Sequence, residues 1–146
     1  MPDQLLTIGE LAHRAGVAAS ALRYWESLGL LPAPMRVSGQ RRYPESALAQ
    51  VGVVLLLHDA GFSLAEQKEL MAAFTCAPEE WRELARRKLA ELDEQIAKAQ
   101  AAREAVSHAV RCPHDKILDC PNLGSLVTAR LEGRPLREAH QHPTTS

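Results

Sequence analysis

The chain has 146 residues, enough for one domain or two small lobes, and its 24% charged and 46% hydrophobic residues exclude a disordered or collagen-like polymer. Aromatic residues are only 4%, so a core must be built mainly from Leu, Val and Ala, a composition that favours helix. The net charge of −1 carries no global excess of basic residues, so a nucleic-acid partner has to be sought in local charge and motif. The longest apolar stretch, Val51 to Leu57, is interrupted by Gly52 and falls far short of the ~20 residues of a membrane span. With no basic segment at the N-terminus, no secretory signal is visible and a cytoplasmic protein without a membrane partner is expected. Three cysteines are an odd number, which argues against a disulfide scaffold and for a metal or thiol role.

Thr7 followed by Glu10 is a capping-box pattern and predicts a helix from Ile8 to Ala15 that stops at Gly16. A second helix is expected from about Ala19 to Leu28, with Leu22, Trp25 and Leu28 on one face and Gly29 at its end. Its start is weak, because Ala18 and Ala19 stand where a cap belongs and Ser20 is the nearest candidate. Pro32, Pro34 and Pro44 then forbid helix, and two short strands about Ser38-Gly39 form a small hairpin, or wing. A third helix, Glu45 to Ala60, ends at Gly61; a fourth starts at Ser63, with Glu66 completing a capping box, and ends near Phe74. Pro78 fits the first position of a long helix that meets no Gly or Pro until Pro113, about 34 residues or ~50 Å at ~1.5 Å per residue. Ala85, Leu89, Leu92, Ile96, Ala99, Arg103, Val106 and Val110 step by fours and threes, an a/d seam with one polar intruder. No second long helix exists to cover that seam, so a second copy of the chain is the expected partner; packing on the N-terminal lobe is the alternative. Residues 133–146, with His140 and His142, read as a disordered tail.

The organisation expected is all-α with a small β wing: a winged helix-turn-helix with connecting helices over residues 1–75, a dimerisation helix over 76–111, and a metal-binding loop with a short helix over 112–132. Local charge supports the first of these. Residues 1–44 carry Arg14, Arg23, Arg36, Arg41 and Arg42 against Asp3, Glu10 and Glu26, a net +2, whereas residues 45–75 carry one Lys against four acids. The positive charge lies where phosphates would sit, with Arg23 and Tyr24 near the start of the second helix, the part that enters a major groove.

Ile8-Gly9-Glu10-Leu11-Ala12, then Ala21-Leu22-Arg23-Tyr24-Trp25-Glu26 through Gly29-Leu30, Arg36 and Gly39 to Tyr43 resemble the MerR family of transcription regulators. The resemblance continues through Asp59-Ala60-Gly61-Phe62-Ser63-Leu64 into the long helix and covers roughly residues 5–128. It implies a homodimer joined by an antiparallel coiled coil, bound to double-stranded promoter DNA and working with RNA polymerase. It implies phosphate contacts from Arg23, Tyr24, Arg36, Arg41 and Tyr43, with Arg42 in the same basic wing and Ser20 where related proteins often read the operator. Trp25 and Tyr24 are equally readable as core aromatics.

The second constellation runs from Cys112-Pro113-His114-Asp115 to Asp119-Cys120-Pro121. Two thiols eight positions apart after a long helix can close on one soft or borderline ion, and the resemblance places this loop where metal-sensing members bind their ion. Cys76 precedes the N-terminus of the long helix. In the antiparallel dimer that the resemblance implies, Cys76 of the partner subunit would join Cys112 and Cys120, which favours a divalent ion with three or more ligands. His114 is the natural fourth ligand, completing a tetrahedral set for zinc; without it a trigonal site would suit lead or mercury, and cadmium is a further candidate. Asp115 and Asp119 are expected to act around the site rather than in it. With two loop cysteines rather than four, an iron–sulfur centre is disfavoured, and so are organic effectors, since the large ligand-binding domain of the drug-sensing members is missing. Three other functions compete: an oxidant or electrophile sensor using the cysteines, a regulator with a purely structural zinc, and an enzyme using Cys112 and His114. The last finds no support in a phosphate loop, nucleophile elbow or HExxH pattern.

Overall fold

A computed structural model describes residues 4–139. It contains α1 (Ile8–Ala15), α2 (Ala19–Ser27), β1 (Met35–Val37), β2 (Gln40–Arg42), α3 (Ala47–Asp59), α4 (Leu64–Cys76), α5 (Pro78–Arg111), a 3-10 turn (Ile117–Asp119), α6 (Pro121–Leu131) and α7 (Leu136–Ala139). The chain divides into two units after Lys88, within α5.

In the first unit, the Thr7–Glu10 capping box closes in both directions and Gly16 ends α1 at φ 70°, a left-handed conformation that a Cβ would strain. The weak start of α2 is also real: Ala18 is the N-cap and makes no side-chain cap bond, so Ser20 does not serve as one. β1 and β2 pair antiparallel, Met35 with Arg42, Arg36 with Arg41 and Val37 with Gln40. Ser38 (φ 52°) and Gly39 (φ 76°) make the two-residue turn, whose positive φ at both positions matches the twist of the strands. Leu6 extends the ladder, donating to and accepting from the backbone of Tyr43 at 2.7 and 2.8 Å.

The core of this unit is built from Leu6, Leu11, Leu22, Leu31, Tyr43, Ala47 and Val51, with Trp25 packed against it half-buried. α4 starts with the expected Ser63–Glu66 capping box. Lys88 on α5 is buried; its Nζ donates to Gly61 O (3.0 Å), pairs with Glu66 (2.8 Å) and lies over the Phe62 ring. The start of α5 is thereby tied to the junction between α3 and α4.

In the second unit, α5 leaves Leu89, Ile96, Val106 and Val110 of the seam exposed. Residues 136–139, expected in a disordered tail, form α7 instead, and Arg137 pairs with Glu94 of α5. Residues 140–146, including His140 and His142, lie outside the described residues. Among the described residues no helix is long and apolar enough to cross a membrane.

Candidate DNA interface and metal centre

The helix-turn-helix and wing present their basic residues unequally. Ser20, Arg23, Tyr24 (56% exposed) and Arg36 face solvent, whereas Arg41 and Arg42 are half-buried. Arg42 donates to Gln40 Oε1 at 3.0 Å, and Arg36 reaches the carbonyl of Gly39 at 3.4 Å across the turn. Tyr43 is different. Its ring is fully buried and its hydroxyl donates to Glu26 Oε2 at 2.9 Å. Burial, then the Glu26 carboxylate, push its phenol up to about 12. Glu26 also faces the buried Nε of Arg41 at 3.6 Å, too long for a hydrogen bond but within ion-pair range. Tyr43, expected to meet phosphate, thus has its aromatic body in the core, and its hydroxyl links the end of the wing to Glu26 of α2.

The expected metal ligands separate into three places. Cys76 is exposed and is the last residue of α4, with Ala77 between it and Pro78, so it ends one helix rather than opening the next. Cys112 follows the last residue of α5 directly and is half-buried. Cys120 is buried and is the N-cap of α6, where Pro121 takes the first helical position. The intervening 3-10 turn folds the loop back.

Together with His108, these two thiols form a group whose ligand atoms all lie within 4.8 Å of one another. His108 Nε2 is 3.2 Å from Cys120 Sγ. His114 sits on the exposed loop with Nδ1 3.3 Å from Cys112 Sγ, and it is not a member of the three-residue group. His108 was missed by sequence reasoning. The signal was there: His108 and Cys112 are four residues apart at the end of a helix, a spacing that puts two side chains on one face.

Cys120 is pulled down to about 6, first by the Leu123 amide, then by His108, with Cys112 and the Asn122 amide contributing and burial opposing. That shift favours the thiolate, the form that ligates metal. The donors also fit an ion by size. Zinc bonds of about 2.3 Å to sulfur and 2.0–2.1 Å to nitrogen put tetrahedral donors roughly 3.5–3.8 Å apart, and linear thiolates about 4.6 Å apart. The His108–Cys120 pair at 3.2 Å would open slightly around an ion, and the remaining donor pairs, all within 4.8 Å, already lie close to these spacings.

Comparison with known proteins finds relatives over most of the chain. Residues 6–73 match the family described as "MerR HTH family regulatory protein", and residues 48–109 match "MerR, DNA binding". The HTH-type transcriptional regulator CueR of Escherichia coli O6:H1 is 30% identical over 126 residues, which cover 83% of this chain and 93% of that protein. Heavy metal-dependent transcription regulator 2 of Rhizobium meliloti is 31% identical over 121 residues, 80% of this chain and 82% of its own. Among solved structures, the transcription regulator PbrR691 from Ralstonia metallidurans CH34, in complex with lead(II), superposes with a TM-score of 0.60 at 26% identity, covering 83% of this chain and 98% of that one. A winged helix-turn-helix, a long helix with an open seam, and relatives of nearly matching length make this chain a member of the MerR family of helix-turn-helix transcription regulators, which are not enzymes.

Proposed function

We propose that the protein is a metal-responsive regulator that binds promoter DNA as a homodimer and changes the shape of that DNA when a divalent soft or borderline ion binds. The observation that carries this reading is the convergence of Cys112 and Cys120 on a shared point beside His108. A related regulator whose structure holds lead(II) supports it.

Cys112 directly follows α5 and Cys120 caps α6, so one ion held by both thiolates locks the turn between these helices. Cys76 of the partner subunit and His114 are the proposed further ligands, and zinc is the proposed ion, with lead, cadmium and mercury as alternatives. Ser20, Arg23, Tyr24, Arg36, Arg41 and Arg42 form the proposed DNA-facing surface. Phosphate contacts from the arginines fix register, and sequence is read at the start of α2. The exposed α5 seam joins the two copies. For the ion to act, the DNA-distorting state of the dimer must bind it more tightly than the resting state does. The distortion then presents the promoter to RNA polymerase in the cytoplasm.

The test is transcription from the protein's own promoter with purified polymerase, titrated with each ion. Zinc, lead, cadmium or mercury should raise output in the wild type and leave Cys112→Ser and Cys120→Ser flat; equal responses in wild type and variants would sink the proposal. One feature favours a second reading, an oxidant sensor: the surroundings of Cys120 lower its thiol pKa. Its sulfur is buried, however, which hinders attack by an oxidant. Peroxide, added in place of metal, should leave the promoter silent.

A further inference from the structure

Within the second unit, one side chain at the ion-binding loop is placed by a rigid element rather than by the loop itself. His108 lies in the last turn of α5, four residues before Cys112, and its Nε2 stands 3.2 Å from Cys120 Sγ. His114, the nitrogen donor suggested by the loop sequence, is exposed and touches Cys112 at 3.3 Å. The helix fixes the His108 imidazole before any ion arrives, so little side-chain freedom is lost on binding. His114 would have to be ordered along with its loop.

Two thiolates alone can hold an ion in a line, leaving its flanks open. Here all three donor atoms lie within 4.8 Å of one another, so the imidazole occupies one of those flanks. Imidazole suits borderline divalent ions such as zinc, while thiolates alone also serve monovalent copper. We propose that His108 is a direct ligand and the residue that sets ion choice: with Cys112 and Cys120 it supplies one nitrogen and two sulfurs from a single chain, favouring ions that take three or four ligands over a monovalent ion satisfied by two. This rests on the metal-responsive reading above and replaces His114 with His108 as the nitrogen ligand.

The test uses the full-length, reduced, anaerobic protein and its His108→Gln and His114→Gln variants. Glutamine at 108 retains a polar amide near Cys120 but removes the imidazole. X-ray absorption at the zinc edge should show imidazole scattering in the wild type and in His114→Gln, and lose it in His108→Gln. Competition against a chromophoric chelator should show zinc affinity falling at least about ten-fold in His108→Gln, the lower end of what losing even an outer partner of a metal site costs. Affinity for Cu+ should change less than about three-fold, well under that loss. Tetrahedral cobalt(II) absorption gives a second readout, and circular dichroism checks that each variant is folded. A wild-type zinc site whose imidazole scattering survives in His108→Gln overturns the assignment while leaving metal responsiveness intact. A wild type that binds neither zinc nor Cu+ overturns the metal-responsive reading, and this one with it.

Discussion

The two halves of the chain solve the burial problem in opposite ways. Up to Lys88 the protein closes a core of its own, although Leu56 and Phe74 stay exposed: Leu11, Leu22, Tyr43 and Val51 are fully buried, and even Lys88 is buried with its charge paired to Glu66. Beyond Leu89, the long helix offers its apolar seam to solvent, with Val110 at 81% exposure. A self-contained lobe can be moved as a rigid reader of DNA. A helix with an uncovered stripe invites completion from outside, and the proposed partners are a second chain along the seam and an ion at its end. Regulation is thus expected in the half that is unfinished on its own.

The largest expected effect lies at the ion site. Cys112→Ser and Cys120→Ser should each weaken binding of a divalent ion by on the order of 100-fold, beyond the range for losing an outer partner, without changing DNA affinity in the absence of ions. Isothermal titration and fluorescence anisotropy read the two halves separately. Loss of DNA binding in these variants would erase the contrast. Next comes the seam. The double substitution Ile96→Glu and Val106→Glu places charges where apolar contact is expected and should convert a dimer into monomers in sedimentation, with the Trp25 environment of the first unit unchanged. A wild type that sediments as a monomer at micromolar concentration would show that the stripe has another purpose.

Within the self-contained lobe the effects are energetic. Leu22→Ala removes a fully buried side chain and should cost about 2–5 kcal/mol, whereas Val110→Ala, made in the monomeric Ile96→Glu, Val106→Glu background, should shift unfolding by under about 0.5 kcal/mol. Denaturant melts of the two variants give the contrast directly. Tyr43→Phe should cost about 1–2 kcal/mol, because the Glu26 carboxylate loses its buried donor while the ring still fills the core. A larger loss of DNA affinity than of stability would return Tyr43 to the interface.

Much of this contrast was legible in the sequence, and what was not has physical reasons. Capping boxes at Thr7 and Ser63, the Ser38-Gly39 turn and Pro78 are short-range signals fixed by local hydrogen bonds and φ preferences, and each is realised in the structure. The seam was legible because its period survives over many turns. The burial of Tyr43 was not legible, because only tertiary packing brings its hydroxyl to Glu26. His108 was overlooked because it lies off the seam, two residues from both Val106 and Val110, and its meaning depends on the loop folding back to bring Cys120 beside it. Residues 136–139 were assigned to the tail because a four-residue helix leaves almost no periodic trace, and the Arg137–Glu94 pair that accompanies it spans a long stretch of sequence.

The smallest expected effect tests how the first unit holds the start of α5. Lys88, then the backbone of Ser63, hold the Glu66 carboxyl down at about 2, from its ordinary 4.5. The folded state therefore favours the ionised form more than the unfolded chain does, and the extra stability is fully present above about pH 5. As pH falls from the unfolded value toward 2 the carboxyl takes up its proton and that contribution disappears. Glu66 is partly exposed, so solvent screening keeps the effect modest. Thermal melts of the wild type and Glu66→Gln should accordingly differ most near pH 6 and converge below pH 3. Gln67, buried one residue on, donates to the Phe62 carbonyl whatever the pH, so Gln67→Ala should lower the melting temperature by the same amount across the range. A Glu66→Gln difference that stays constant down to pH 2.5 would mean that the Lys88 tie is held by Gly61 and Phe62 rather than by the carboxylate.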